Sequence, residues 1–184
     1  MTIVILIFLR YFYKELEILG KSHKIMAYQL DETDVKILKH LQKDGRAQRN
    51  TIAEIVHLSV PSVSERMRKL EERGLISEYN AVLDSKKFNF DITAFIFVEV
   101  DGSDQYDNFV EQVTDHPEVL ECHSITGDGS HILKVRTKNT ESFEKFLSLI
   151  QSWNGVTRTR SNIVLTSFKE TRELPVERAI EIKK

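Results

Sequence analysis

The hydrophobic period of this chain changes once, and that change bounds what it can fold into. Up to Gly74 the apolar residues recur at helical spacing, whereas "ITAFIFVEV" alternates with a period of two through Ile92, Ala94, Ile96, Val98 and Val100. A helical unit followed by a sheet-bearing unit is the expected consequence, an α+β chain.

In the helical part, Asp31-Glu32-Thr33-Asp34 offers Asp31 as a cap and further acids at the positive end of a helix. Val35, Ile37, Leu38 and Leu41 then keep one apolar side until Gly45. Thr51-Ile52-Ala53-Glu54 has capping-box spacing and predicts a short second helix starting at Thr51. The third helix comes from "LSVPSVSERMRKLEERGLI", with Ser59 as N-cap, Pro61 tolerated in the first turn and Gly74 as the stop. Val63, Met67 and Leu70 share one narrow face of it, so Glu65, Arg68, Lys69 and Glu72 point away. Leu75, Ile76, Tyr79 and Ala81 predict a short extended arm. Helix, helix, tight turn, helix and small wing is the winged helix-turn-helix order.

After "ITAFIFVEV", whose Phe95 and Phe97 predict cover on the second sheet face too, a helix carries Phe109, Val110 and Val113. Strands are expected over Val119–Thr126 and His131–Thr137, a hairpin around Gly127-Asp128-Gly129-Ser130. A helix capped by Thr140 brings Phe143, Phe146, Leu147, Ile150 and Trp153, and Val156–Phe168 reads as the last strand. The order β-α-β-β-α-β fits a ferredoxin-like domain, one four-stranded antiparallel sheet with two helices on one face. The expected division is an extension at 1–25, a winged helix-turn-helix at 26–80, a linker at 81–91, the sheet domain at 92–175 and a tail at 176–184.

A net charge of -2 and a pI near 6.3 give no global sign of nucleic-acid binding, so charge must be segregated on one surface to serve it. Between Leu30 and Asn80, cations and carboxylates balance at nine each. The single cysteine, Cys122, lies in a strand-like run and reads as a buried thiol in a reducing, cytoplasmic setting. The apolar run Ile3–Leu9 is far short of the roughly 20 residues that span a bilayer. Two readings stay open for residues 1–25: an added amphipathic helix using Phe12, Leu16 and Leu19, or translated upstream sequence before a true start at Met26. No metal or cofactor is expected, because zinc-type Cys and His spacings, a P-loop, a dinucleotide fingerprint and a nucleophile elbow are all missing.

Several stretches together resemble the Lrp/AsnC group of bacterial and archaeal transcription factors. They are "LDETDVKILKHLQKDGR", "LSVPSVSERMRKLEERGLI", "YNAVLD", "TGDGSHILKV", "GVTRTRSNIVL" and "FKETRELP", colinear from Leu30 to Pro175. The resemblance implies a DNA-binding domain joined to an effector-sensing domain that dimerises through its sheets and often assembles into a ring of dimers. It also implies a small effector, frequently an amino acid, near the loop Gly127, Asp128, Gly129 and Ser130. The family's Gly-Asp-x-Asp is departed from at Ser130, which removes a carboxylate that a ligand ammonium could pair with. A different ligand, a similar ligand held by backbone groups, and a role in assembly alone all stay open.

Major-groove reading needs a rigid helix whose side chains reach base edges, with neighbouring donors on phosphates. Ser62, Ser64, Glu65, Arg66 and Lys69 are the base-edge or nearby phosphate candidates, Arg68 is a flanking phosphate contact, and Arg46 and Arg49 are candidate contacts from the loop before the second helix. Glu65 can accept from cytosine's amino group and Arg66 can fork onto guanine. Against this stands a solvated face with pairs Glu65–Lys69 and Arg68–Glu72, each worth about 0.2–0.5 kcal/mol. Arg66, beside the apolar stripe, is the one expected to pair within the domain. A balanced domain binds weakly alone, so a dimer presenting two recognition helices about 34 Å apart belongs to the expected mechanism. The expected function is a non-enzymatic, operator-binding regulator, homodimeric or higher, with no membrane role. The alternatives are an enzyme resembling siroheme decarboxylases, and a DNA-binding protein whose second domain only oligomerises.

Overall fold

A computed structural model of the protein describes residues 30–127 and 129–181. The extension expected at 1–25 lies outside the described residues. Among those described, no helix is long and apolar enough to cross a membrane. The described residues form two compact units, one made of Leu83–Phe168, the other of residues 30–82 joined by a return segment from Lys169. The boundary expected at Pro175 falls inside that return segment.

The helical unit opens with α1 (Glu32–Lys43), entered through a reciprocal capping box. Asp31 accepts from the Asp34 N–H at 2.7 Å and Asp34 accepts from the Asp31 N–H at 3.3 Å. In contrast, α2 (Arg49–Val56) starts two residues before the expected Thr51. Its N-cap is Gln48, which makes no side-chain bond, so the Thr51–Glu54 box does not form. Thr51 sits inside the first turn, where its backbone is already helical, past the extended cap position from which a side chain serves the open amides. His57, in the left-handed region at φ 55°, makes the turn into α3 (Val60–Glu72). Ser59 caps α3 by accepting from the Ser62 N–H at 3.3 Å, and Pro61 occupies its first turn. Ile37 and Leu41 from α1, Ile52 and Val56 from α2, and Val63, Met67 and Leu70 from α3 close the core. Each fully buried side chain such as Ile52 contributes about 1.5–3 kcal/mol. Residues 75–84 run on without a strand, so the expected arm is present as irregular chain and forms no ladder.

The return segment finishes this unit. The Gln42 carboxamide pairs with the Leu174 backbone as a second strand would, donating to its carbonyl at 3.1 Å and accepting from its N–H at 2.6 Å. Val176 packs against the helical core, and Lys39 meets Glu177 at 2.5 Å.

The sheet unit contains β1 (Ile92–Val100), α4 (Ser103–Asp115), β2 (Val119–Ser124), β3 (His131–Thr137), α5 (Thr140–Gln151) and β4 (Val156–Ile163). The strands lie in the order β2-β3-β1-β4 with every pairing antiparallel. Ala94, Ile96, Val98, Leu133 and Val135 face Phe109 and Val113 of α4, Phe143, Phe146 and Ile150 of α5, and Trp153. On the other face Phe95 and Phe97 are only half-buried. β2 and β4 end at Ser124 and Ile163, short of the expected Thr126 and Phe168, where pairing partners run out. Asn139, not Thr140, caps α5, accepting from the Ser142 N–H at 2.8 Å.

Candidate DNA interface and ligand pocket

With Val63, Met67 and Leu70 committed to the core, α3 presents Ser62, Glu65, Arg68 and Lys69 to solvent and leaves Ser64 half-exposed. Arg66 goes elsewhere. Its Nη1 lies 2.7 Å from Asp31 Oδ2 and 2.7 Å from Asp34 Oδ1, so the guanidinium ties α3 to the start of α1. The Asp34 and Asp31 acceptors raise its pKa. Burial opposes the effect at Asp31, but the Asp34 N–H and Arg66 together hold that carboxyl below its usual range.

The outward cations are also paired. Arg68 donates from Nε and Nη2 to the two oxygens of Glu65 at 2.9 and 2.7 Å, and its Nη1 meets Glu72. Lys69 Nζ lies 3.5 Å from Glu65. The Arg68 fork pulls the Glu65 carboxyl down to about 2. Arg46 and Arg49 are exposed at the entrance of α2, on the rim of a shallow concavity of about 400 Å³ floored by Leu41 and Met67. Tyr79 closes one side; burial and its bond to Glu71 at 2.8 Å push its hydroxyl up to about 12.

In the sheet unit, Gly127 and Gly129 take φ of 106° and 103°, which glycine alone adopts cheaply. A Cβ on Gly129 would stand 3.2 Å from the Val98 carbonyl oxygen. Asp128 lies outside the described residues. Ser130 is occupied by the fold: its Oγ accepts from the Val100 N–H at 3.0 Å, lies 3.1 Å from the Val98 oxygen and 2.9 Å from His131 Nδ1. The His131 ring is buried against Tyr106 and Phe109, its Nε2 has no partner, and burial lowers its pKa to about 4.

Beside Gly129, on the open sheet face, Phe97, Glu99, Arg158 and Arg160 line a pocket of about 210 Å³. Arg158 stands 3.6 Å from Glu99, and the Arg160 guanidinium lies 4.7 Å from the Phe97 ring centre. These four residues escape a sequence reading because only the β1–β4 register brings them together; the signal available was alternation on each strand. Among the described residues no three metal-binding side chains gather. Cys122 is partly buried on β2, and burial raises its thiol pKa.

Residues 30–77 match the winged helix-turn-helix DNA-binding family, and residues 93–174 match the Lrp/AsnC ligand binding domain. The HTH-type transcriptional regulator FL11 of Pyrococcus horikoshii is 40% identical over 152 residues, covering 83% of this chain and 100% of the relative. This chain belongs to the Lrp/AsnC family. It is a DNA-binding transcriptional regulator with an Lrp/AsnC ligand-binding domain on a ferredoxin-like sheet. The leucine-responsive regulatory protein of Escherichia coli is 30% identical to this Lrp/AsnC regulator, covering 85% of its length and 97% of the relative. Among solved structures, a Neisseria meningitidis regulator in complex with L-methionine superposes with a TM-score of 0.80 at 33% identity, covering 82% of this chain and 99% of that one. The feast or famine regulatory protein of M. tuberculosis complexed with L-methionine gives 0.73 at 32% identity, covering 79% and 98%.

Proposed function

We propose that this Lrp/AsnC regulator reads double-stranded operator DNA with the outward row of α3, namely Ser62, Ser64, Glu65, Arg68 and Lys69. Arg46 and Arg49 hold phosphates beside the entrance of α2, whose first amides no side chain caps. The observation that carries this reading is the division of labour on α3: its apolar face and Arg66 are committed inward, while a polar row with two cations stays exposed. Arg66 acts as a clamp within the reading unit rather than as a base contact.

The effector is a small amino acid seated by the Gly127–Ser130 turn against Glu99, Arg158 and Arg160. A zwitterion needs an acceptor for its ammonium and donors for its carboxylate, and this pocket supplies both within a few ångströms. The L-methionine complexes of the two related structures support the ligand class. Ser130 shapes the turn from behind.

The protein works as a homodimer or larger ring in the cytoplasm and carries out no catalysis. Exposed apolar chain supports association: Val82 is 98% exposed in one unit, and Leu165 and Phe168 are 95% and 96% exposed in the other. The relatives named above, an HTH-type transcriptional regulator and a leucine-responsive regulatory protein, support the non-enzymatic reading.

Fluorescence anisotropy with duplex from the protein's own upstream region and with a shuffled control, at two salt concentrations, tests the DNA reading. Tighter binding to the native duplex, weakening as salt rises, is expected. Equal or salt-insensitive binding to both removes it.

A further inference from the structure

The recognition helix holds more positive charge than it offers. One carboxylate, Glu65, receives a two-bond fork from Arg68 and stands 3.5 Å from Lys69, while Glu72 takes the remaining Arg68 nitrogen. A carboxylate fork matches the guanidinium plane as well as a phosphate does, and it is always present at intramolecular concentration. A random duplex, offering phosphates alone, therefore exchanges one anion for another and gains little. Recruiting these cations to phosphates releases counterions from the DNA only at the expense of their carboxylate contacts, which lowers the net gain. A guanine at the right step presents O6 and N7 to the same fork, a pair of acceptors whose position depends on sequence as a phosphate's does not. With Glu65 depressed to about 2, the restraint persists throughout the neutral range.

We propose that Glu65 is a specificity-determining positioning residue, which holds Arg68 and Lys69 in intrahelical ion pairs so that non-operator phosphates do not recruit them. This rests on the proposed reading of DNA by α3. Within the reading row this gives Glu65 an indirect part, through Arg68 and Lys69, in place of its own contact with cytosine, and the two roles differ in sign: a restraint, once removed, strengthens indiscriminate binding, whereas a lost base contact weakens specific binding.

The test uses the full chain as wild type, Glu65→Gln, Arg68→Gln and the double variant, titrated against native upstream and shuffled duplexes across a salt series. Thermal melts confirm that each variant folds. Glu65→Gln keeps the side chain's shape and removes its charge. The expected result is roughly 3- to 10-fold tighter binding of the shuffled duplex, a salt slope steeper by about one released counterion, and a smaller native-to-shuffled ratio. In the Arg68→Gln background most of that gain disappears, since the two side chains act through one contact. Weaker native binding with unchanged shuffled binding overturns the proposal in favour of a base contact. Unchanged binding of both duplexes overturns it outright. If Arg68→Gln leaves both affinities untouched while wild type binds, the reading of DNA by Arg68 falls with it.

Discussion

Arg66 Nη1 lies 2.7 Å from Asp34 Oδ1, and this carboxylate is 1% exposed. The buried charge on α1 thus has its counter-charge on α3, and the same nitrogen also serves Asp31. Arg66→Ala removes this pairing. We expect the helical unit to lose about 1.5–3 kcal/mol, the range for bonds to charged groups. Hydrogen exchange in α1 and α3 should speed accordingly, while the fluorescence of Trp153, the protein's single tryptophan, melts unchanged because it reports the sheet unit. Unaltered exchange would reduce the pair to an ordinary surface contact.

The buried His131 gives the sheet unit a pH dependence. Its pKa falls from 6.5 to about 4 on folding, so the unfolded chain takes up a proton first as pH drops. Stability from this group is complete above pH 6.5 and is lost as pH falls toward 4. Between pH 7 and pH 5 the loss should reach about 2 kcal/mol, at 1.36 kcal/mol per unit. Trp153 melts across this range should show the slope in wild type and a flatter one in His131→Phe; equal slopes would assign the effect to other groups.

Two glycines of one turn should respond differently to alanine. Gly129→Ala combines φ 103° with a contact of 3.2 Å to the Val98 oxygen, whereas at Gly127, φ 106°, nothing stands within 4 Å. Strain alone costs about 1 kcal/mol, and the crowded site should cost about 2–3 kcal/mol. Denaturant midpoints of the two variants decide it; equal losses would mean that the Val98 carbonyl moves aside freely.

Arg158→Ala and Glu99→Gln should each abolish the thermal stabilisation given by a binding L-amino acid and leave ligand-free DNA affinity intact. A differential scanning panel with L-methionine and other amino acids reads the first effect, and anisotropy reads the second. Persistent stabilisation in both variants would move the ligand away from this pocket.

How much of this is legible in the sequence depends on the range of the interaction. The inward rows of α3 and the bounds of β1 and β3 follow from periodicity, a local signal, and Arg66's inward pairing follows from its place beside the apolar stripe. Caps are less legible, because Gln48 and Thr51, or Asn139 and Thr140, compete as neighbours and the winner depends on the angle at which the chain enters the helix. The ends of β2 and β4 depend on how far a partner strand extends. Least legible is the cluster of Glu99 and Arg158, about sixty positions apart and joined only by register. The burial of His131 beside Ser130 is equally hidden, since a lone histidine next to a turn looks like any surface residue.

The grip of Gln42 on the Leu174 backbone, with Val176 set against the helices, makes the helical unit discontinuous in sequence. Along the chain the whole sheet unit is interposed between the three helices and the segment that closes over them. A chain cut short before Lys169 would keep every strand and every recognition side chain yet lack the piece that completes the reader. The DNA-binding unit therefore depends on residues more than a hundred positions beyond its recognition helix, and loss of that segment would be felt at the reading end rather than in the sheet.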